Sequence, residues 1–335
     1  MLTGLVMGLP SLWLAKKAGF IDLPQSAPHK RHSKPTPLAG GIALVLSVAV
    51  LIGLSNAWVT REIGGLLLGS LVVWAFGLLD DRLGFSALKK LGGQFLAVVI
   101  AIFFNVYVQI FGSPEFLSFQ VQWMNTTLNI LITTLWFVGI TNAFNLIDSM
   151  DGLTLGISAI TLTFFVMATL ISAQPPLTTL SVLLLGVSVG LYPWNRTPAR
   201  FFLGDSGAQT LGYMIAGIAI LYTPLFAKGQ ASSWFTPILF LAIPIFDTCL
   251  VVYARLRHGQ PVYQGSNDHT YHRLVSLGIS PLRTTTLIHV TALLIDCIAF
   301  GALFLNSLPA NLVFFTLLVT GGILLVLLEK KTEGI

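Results

Sequence analysis

The side chains best suited to chemistry are aspartates that occur in short clusters along an otherwise apolar chain. Asp80 and Asp81 lie in GLLDDRLG, Asp148 and Asp151 in TNAFNLIDSMDGL, and Asp205 in FFLGDSGAQ. Carboxylate oxygens are preferred ligands of Mg²⁺, and carboxylates also act as general bases. Carboxylates alone would repel an anionic substrate, whereas a bound divalent cation reverses the local field and attracts phosphate. The clusters therefore indicate phosphate chemistry that depends on a metal ion.

Two further segments combine imidazole and cationic groups. NDHTYHRL contains His269, His272 and Arg273, and HKRHSKPTPLAGG contains Lys30 and His32. Both kinds of side chain are suited to binding phosphate oxygens. We interpret the two segments as candidates for substrate binding.

Each cluster also has a purely structural interpretation. Arg82 could offset the unfavourable charge of the acidic pair at a helix C-terminus. Asp151 and Asp205 could each cap the helix that follows. The HKRHSK segment could bind anionic lipid head groups, and NDHTYHRL could be a solvated loop.

Composition places these clusters in a membrane protein. The 335 residues are 55% hydrophobic and 9% charged, with a mean hydropathy of +0.84. A soluble domain carries roughly a quarter charged residues, so this chain cannot cover a water-facing surface. Eighteen basic residues are too sparse for a nucleic-acid surface. No polar linker divides the chain, and we expect one integral membrane domain over 1–335.

Apolar segments long enough to cross a bilayer recur along the whole chain, since a spanning helix needs about 17–25 residues. They predict an all-α polytopic fold with about eleven transmembrane helices. The predicted spans are 2–15, 38–56, 63–79, 91–112, 125–141, 152–173, 177–192, 208–227, 233–254, 284–305 and 309–328.

The distribution of basic residues predicts the orientation of these spans, because Lys and Arg accumulate on the cytoplasmic side. With the N-terminus outside and the C-terminus cytoplasmic, 16 of the 18 basic residues lie inside, and only Arg61 and Lys228 lie outside. The clusters described above then all fall on the cytoplasmic side. A transporter would place its polar binding groups near the midplane instead. The residues thus indicate metal-assisted phosphoryl chemistry at a membrane surface, without naming a substrate.

Five motifs in order extend this interpretation: PTPLAGG, DDRLG, NAFNLIDSMDGL, GDSGAQ and DHTYHRL. Together they resemble the polyprenyl-phosphate N-acetylhexosamine-1-phosphate transferase superfamily (glycosyltransferase family 4), over nearly the whole chain. The resemblance is closer to the WecA/TagO type than to the MraY type, because DHTYHRL lacks the longer histidine pattern of the latter.

The resemblance implies a reaction, a location and partners. A polyprenyl phosphate, undecaprenyl phosphate above all, would attack the β-phosphorus of a UDP-sugar and release UMP. The enzyme would work at the cytoplasmic face of the inner (plasma) membrane with Mg²⁺, or Mn²⁺ in its place. The expected partners are the UDP-sugar, the polyprenyl phosphate and membrane lipid, with a homodimer left open. N-acetylglucosamine is the preferred sugar, and the MraY-type muramyl-pentapeptide reaction and a transporter without chemistry are the alternatives.

The resemblance also implies roles for single residues. Asp205 matches a Mg²⁺ ligand, and Asp80 and Asp81 match an acidic pair that binds metal or acts as base. The substrate contacts that the resemblance implies are a phosphate-facing lysine, nucleotide-side groups, a uracil site and diphosphate-binding histidines: Lys90, Asn145, Asp148, Asp151, Asn195, Phe202, His269 and His272.

Four positions depart from the family pattern. Tyr271 stands in place of a histidine, Gly84 in place of an acid, Ser149 in place of a glycine and Ala208 in place of a serine. We expect these positions to affect donor specificity or to mark a divergent branch.

Overall fold

The computed structural model describes residues 1–24, 34–55, 59–112, 119, 121–223, 235–261 and 268–332. Within these ranges the chain forms thirteen helices and one two-stranded antiparallel sheet, in which β1 (Ile21–Asp22) pairs with β2 (Thr36–Pro37). The helices are α1 (Leu2–Ala18), α2 (Gly40–Ser55), α3 (Arg61–Leu83), α4 (Ala87–Phe103), α5 (Gln122–Ile147), α6 (Leu153–Ile171), α7 (Pro175–Asn195), α8 (Gly204–Leu221), α9 (Thr236–Phe240), α10 (Ala242–Arg257), α11 (Thr270–Ser276), α12 (Pro281–Ala302) and α13 (Ser307–Thr332).

The predicted all-α membrane fold is confirmed. Six of the described helices, α3, α5, α6, α7, α12 and α13, are long and apolar enough to cross a membrane. Large apolar side chains are exposed along them, for example Leu318 and Ile323 on α13. Such a surface requires lipid around it, because soluble proteins rarely expose extended apolar patches. Each of the eleven predicted segments overlaps at least one helix, although only six meet this criterion of length and composition.

Helix α8 forms the centre of the bundle. Every residue from Ser206 to Ala219 is buried, and α2, α3 and α5 pack around the helix. A helix that is buried on all sides needs small residues wherever a neighbour approaches closely. At Gly77 of α3, an added Cβ would lie 2.6 Å from Ser206 Cα and 2.8 Å from Ser206 N. The glycine thus allows the end of α3 to reach the beginning of α8.

The predicted span 233–254 is broken, and its described part forms two helices. Helix α9 ends at Phe240 and α10 begins at Ala242. Pro244 has no N–H to donate to the carbonyl of Phe240, as a continuous helix would require. Thr161 Oγ1 donates to that carbonyl instead, at 2.8 Å. A hydroxyl from α6 therefore satisfies the backbone group that the proline leaves without a helical partner.

The predicted span 91–112 is wrong over its second half, because α4 ends at Phe103. The backbone beyond it is held by side chains of α5. Ile110 N and Phe111 N donate to Asn129 Oδ1 at 3.1 and 3.0 Å, and Val108 N donates to Thr133 Oγ1 at 2.9 Å. Apolar composition predicted a helix here, whereas two polar residues of the next helix supply the hydrogen bonds of an irregular segment.

The contact at Gly77 leads to a stability prediction. We expect Gly77→Ala to destabilise the protein by about 1–3 kcal/mol, because the new methyl group would press on the backbone of α8. Thermal unfolding of the purified protein in detergent measures the effect. Gly64→Ala is the matched control on the same helix, since a Cβ there meets only Val59 Cγ1 at 3.6 Å. Equal unfolding temperatures for the two variants would contradict the packing described here.

Candidate active site

The N-terminus of α8 is capped by a carboxylate from α3. Asp81 Oδ1 accepts a hydrogen bond from Asp205 N at 2.8 Å, and Asp81 Oδ2 accepts from Ser206 N at 3.2 Å and Ser206 Oγ at 2.6 Å. A carboxylate is favourable there because the first N–H groups of a helix lack intrahelical partners. The alternative in which Asp205 caps its own helix is therefore wrong. Both oxygens of Asp81 accept hydrogen bonds from α8. Metal binding or base catalysis by Asp81 stays a prediction.

Gly204 makes this approach feasible. Its φ of +74° lies in the left-handed region that glycine adopts without strain. A Cβ at this position would lie 2.8 Å from Asp81 Oδ2 and 3.0 Å from Asp81 Oδ1. The glycine of the GDSG motif is therefore required both by the turn and by the capping carboxylate.

Lys90 joins the other two predicted acids. Its Nζ lies 2.5 Å from Asp80 Oδ2 and 2.5 Å from Asp205 Oδ2. The Asp80 side chain is only 5% exposed, whereas those of Lys90 and Asp205 are 27% and 29% exposed. Asp80 is therefore the most buried of the three side chains, whereas Lys90 and Asp205 are partly exposed. Arg82 lies over the ring of Phe20 at 5.9 Å, so the cation paired with Asp80 is Lys90.

Four amide side chains form hydrogen bonds with Asp205 or with one another. Gln209 Nε2 donates to Asp205 Oδ2 at 3.3 Å, and Asn145 Nδ2 donates to the same oxygen at 3.5 Å. Gln94 Nε2 donates to Gln209 Oε1 at 2.9 Å, and Asn142 Nδ2 donates to Gln94 Oε1 at 2.8 Å. Neither Gln94 nor Gln209 belongs to the predicted site. The available signal was the presence of an uncharged amide in an apolar helix, where polar groups need partners.

The two aspartates after α5 have separate environments. Burial raises the pKa of Asp148 well above its usual range, and the carboxylates of Asp205, Asp81 and Asp151 raise it further. Asp151 Oδ2 accepts from Ala199 N at 3.2 Å. Helix α6 begins after Gly152 without a side-chain cap. Asp151 therefore anchors the segment before the GDSG motif, and the alternative that it caps α6 is wrong.

The residues matched to a uracil site lie beside that segment. Asn195 is buried, with Oδ1 accepting from Gly152 N at 3.0 Å and Nδ2 donating to Phe201 O at 3.2 Å. Phe202 is half-buried, and its N–H donates to Pro37 O at 2.9 Å. The PTPLAGG and GDSG motifs are therefore adjacent in space. Contact of either side chain with a nucleotide stays a prediction.

The histidine segment forms a second group, on α11. His269 is buried, and its Nδ1 lies 2.8 Å from Asp247 Oδ2, while Thr270 N donates to Asp247 Oδ1 at 2.7 Å. Asp247 thus both fixes the start of α11 and orients the His269 ring, so that Nε2 points away from the acid. An aspartate inside an apolar segment was the sequence signal for this role.

The neighbours of His269 explain one departure from the family pattern. The rings of His269 and His272 are 6.3 Å apart, and His272 is half-buried. Tyr271 is buried in a small apolar cluster with Ile147 and Ile288. Position 271 therefore packs α11 against α5 and α12, and an aromatic side chain suits it.

Three predicted substrate contacts remain without support in the described contacts. Arg273 is buried, and its guanidinium binds Glu329 at 2.6 Å and the hydroxyl of Thr332. Lys30 and His32 lie outside the described residues. Substrate binding by these three residues stays a prediction.

The acidic cluster fits a magnesium ion that substrate helps to bind. In the part of the chain that the structure describes, no group of three or more His, Cys, Asp or Glu side chains could hold a metal on its own. Asp80 and Asp205 nevertheless direct one oxygen each to a single cationic atom, Lys90 Nζ. Proteins commonly hold Mg²⁺ through one or two carboxylates together with waters and substrate phosphates. The donor set therefore fits Mg²⁺ with a phosphate ligand as the remaining partner.

The sequence of this chain is similar to those of known proteins. The sequence model described as Glycosyl transferase family 4 matches residues 63–223, which include both acidic motifs and the GDSG motif. The probable undecaprenyl-phosphate N-acetylglucosaminyl 1-phosphate transferase of Bacillus subtilis (strain 168) is 31% identical over 279 residues, covering 83% of this chain and 75% of the relative.

Two other similar proteins have names that describe the same kind of transferase. The decaprenyl-phosphate N-acetylglucosaminephosphotransferase of Mycolicibacterium smegmatis is 30% identical over 302 residues, covering 81% of this chain and 72% of the relative. The undecaprenyl-phosphate alpha-N-acetylglucosaminyl 1-phosphate transferase of Escherichia coli (strain K12) is 26% identical over 308 residues, covering 88% of this chain and 80% of the relative. With identity and coverage at this level, this chain belongs to glycosyl transferase family 4.

Proposed function

We propose that this protein transfers N-acetylglucosamine-1-phosphate from UDP-N-acetylglucosamine to a polyprenyl phosphate, with undecaprenyl phosphate as the acceptor, and releases UMP. The observation that carries the proposal is the convergence of Asp80 and Asp205 on Lys90 at the N-terminus of a buried helix. The names of the relatives, which are all N-acetylglucosamine phosphate transferases acting on prenyl phosphates, supply the substrate class.

The reaction joins two anionic substrates, so the site must attract phosphate even though it contains aspartates of its own. An oxygen of the polyprenyl phosphate attacks the β-phosphorus of the donor, and the bond from that phosphorus to the bridging oxygen breaks. The bridging oxygen leaves with UMP. A phosphate monoester loses its second proton at a pKa of about 6, so the acceptor needs no protein base near neutral pH. We therefore assign the acids to charge balance and positioning.

Each group at the site then has a distinct role. Lys90 offers an ammonium that can pair with a donor phosphate. Asp80 and Asp205 would hold Mg²⁺, or Mn²⁺ in its place, which when bound supplies neutralisation of the diphosphate charge. Asp81 keeps Asp205 in register by capping α8. His269, oriented by Asp247, would offer Nε2 to the donor diphosphate.

The active site would face the cytoplasm from the inner membrane, with the N-terminus outside and the C-terminus inside. Helix α3, with 23 residues, is about 34 Å long at a rise of about 1.5 Å per residue, enough for a hydrocarbon core of about 30 Å. Arg61 begins this helix and Asp80 lies near its end, so in the proposed orientation the two residues would lie at opposite faces of the bilayer. Eleven crossings result if α9 and α10 form one broken span and the shorter α1, α2, α4 and α8 also cross.

A transporter without chemistry is less well supported, because the cluster of Asp80, Lys90 and Asp205 lies at the ends of α3, α4 and α8 rather than midway along them. The MraY-type reaction has no support in the names of the relatives described above.

The direct test is release of UMP by the purified protein with undecaprenyl phosphate, Mg²⁺ and a panel of UDP-sugars. We expect UMP from UDP-N-acetylglucosamine only when lipid acceptor is present, and loss of the signal when EDTA is added. Readdition of Mg²⁺ should restore it. Absence of UMP with every donor, in protein shown to be folded, would refute the proposed reaction.

Asp205→Asn tests the central carboxylate. The amide keeps the shape of the side chain but removes the charge, so we expect turnover to fall at least about a hundredfold while the protein remains folded and membrane-inserted. Steady-state UMP release and size-exclusion chromatography measure the two properties. Glu62→Gln, the same change in the first turn of α3, is the matched control and should retain wild-type turnover. Normal activity of Asp205→Asn would exclude the role assigned to it.

Orientation can be measured by cysteine labelling in a background without Cys249 and Cys297. Arg61→Cys should react with a membrane-impermeant maleimide in intact cells, because the orientation places it outside. Arg196→Cys should react only after the cells are permeabilised. The reverse pattern would invert the proposed topology.

A further inference from the structure

The helix that bears the two predicted histidines is fastened to the C-terminal helix through Arg273. Arg273 Nη2 lies 2.6 Å from Glu329 Oε2, and Nη1 donates to Thr332 Oγ1. Arg273 Nε donates to the carbonyl oxygen of Asp268 at 2.7 Å. The guanidinium group thus links the residue directly before His269 with the last turn of α13.

Glu329 is unusual for its position. It is only 1% exposed and lies near the C-terminus of a helix, where the helix dipole disfavours an acid. The two residues that follow it, Lys330 and Lys331, are exposed. A buried carboxylate is costly unless a cation compensates for its charge. Arg273, which is itself 7% exposed, is the cation that lies 2.6 Å from it.

Two other polar side chains lie near this pair. His258 Nδ1 lies 3.7 Å from Glu329 Oε1, and Arg255 Nε lies 3.7 Å from Asp268 Oδ2. Both belong to the end of α10, the helix whose Asp247 holds His269. The histidine segment is therefore fixed from two sides, by Asp247 through His269 and by Glu329 through Arg273.

We infer that Glu329 is a positioning residue for the transfer reaction: by holding Arg273, it fixes α11 so that His269 and His272 face the donor diphosphate. The inference rests on the proposed function. Because the side chains involved are buried, a loss of the ion pair would let α11 shift relative to α13. Displacements of about 1 Å in a positioning element can lower turnover by about a hundredfold.

Kinetics provide the first half of the test. We expect Glu329→Gln to lower kcat for UMP release between about tenfold and a hundredfold, with little change in KM for undecaprenyl phosphate. Glu329→Asp, which keeps the charge, should recover part of the loss. Lys330→Gln, which changes one exposed charge at the next position, is the matched control and should match the wild type. If Glu329→Gln does not fold, Thr332→Val removes the second partner of Arg273 on α13 and should produce a smaller loss of kcat.

Chemical modification provides the second half and does not depend on activity. Diethylpyrocarbonate acylates accessible imidazoles, and peptide mass spectrometry gives the rate at each histidine. We expect His269 to react several-fold faster in Glu329→Gln than in the wild type or in Lys330→Gln. With Thr332→Val the increase should be smaller.

The outcomes separate the two proposals. Unchanged reactivity of His269 in Glu329→Gln, or full kcat despite faster modification, would overturn the positioning role. Absence of UMP from the wild type would refute the proposed function, whereas the modification rates would still show whether Glu329 holds α11.

Discussion

Asp81 of α3 accepts hydrogen bonds from the first backbone N–H groups of α8, and this contact determines the geometry of the rest of the site. It requires the two helices to approach at Gly77 and the chain to turn at Gly204. Once it forms, Asp205 in the first turn of α8 is brought beside Asp80, which precedes Asp81 in sequence. Two acids on one helix thus have different functions: one holds the neighbouring helix and the other contributes to the open cluster.

The arrangement concentrates negative charge in a partly buried place, which is unfavourable unless cations compensate for it. Lys90 bridges Asp80 and Asp205, and amides of α4, α5 and α8 donate toward Asp205 Oδ2 directly or through one another. Lys90 and the amides therefore offset the negative charge of the acids, and a further cation or a phosphate would change that balance. A divalent cation would satisfy the acids and leave the ammonium of Lys90 available to the anionic substrate. Transfer between a soluble donor and a lipid acceptor needs such a site at the end of the helices, where both substrates can reach it.

Much of this could be predicted from the sequence. Apolar segments predicted the helical membrane fold, and five of the predicted site residues lie together at the start of α8: Asp80, Asp81, Lys90, Asn145 and Asp205. The different contacts made by each of these residues could not be predicted, because they depend on which side chains of distant helices meet. Arg82 is the cation adjacent in sequence, but helix geometry directs it to Phe20 and leaves Lys90 to pair with Asp80. The break at Leu241 and the early end of α4 were missed for a similar reason. In both places side chains of another helix, Thr161 or Asn129, satisfy backbone groups that composition assigned to a continuous helix.

Binding of Mn²⁺, followed by electron paramagnetic resonance in the presence of UDP-N-acetylglucosamine, tests the central claim most directly because it reports on the acidic cluster itself. The account predicts one tightly bound ion per chain in the wild type, a large loss of affinity in Asp205→Asn and wild-type binding in Glu62→Gln. Undiminished binding in Asp205→Asn would contradict the account, because the carboxylate oxygen that faces Lys90 would then not be the one that receives the cation.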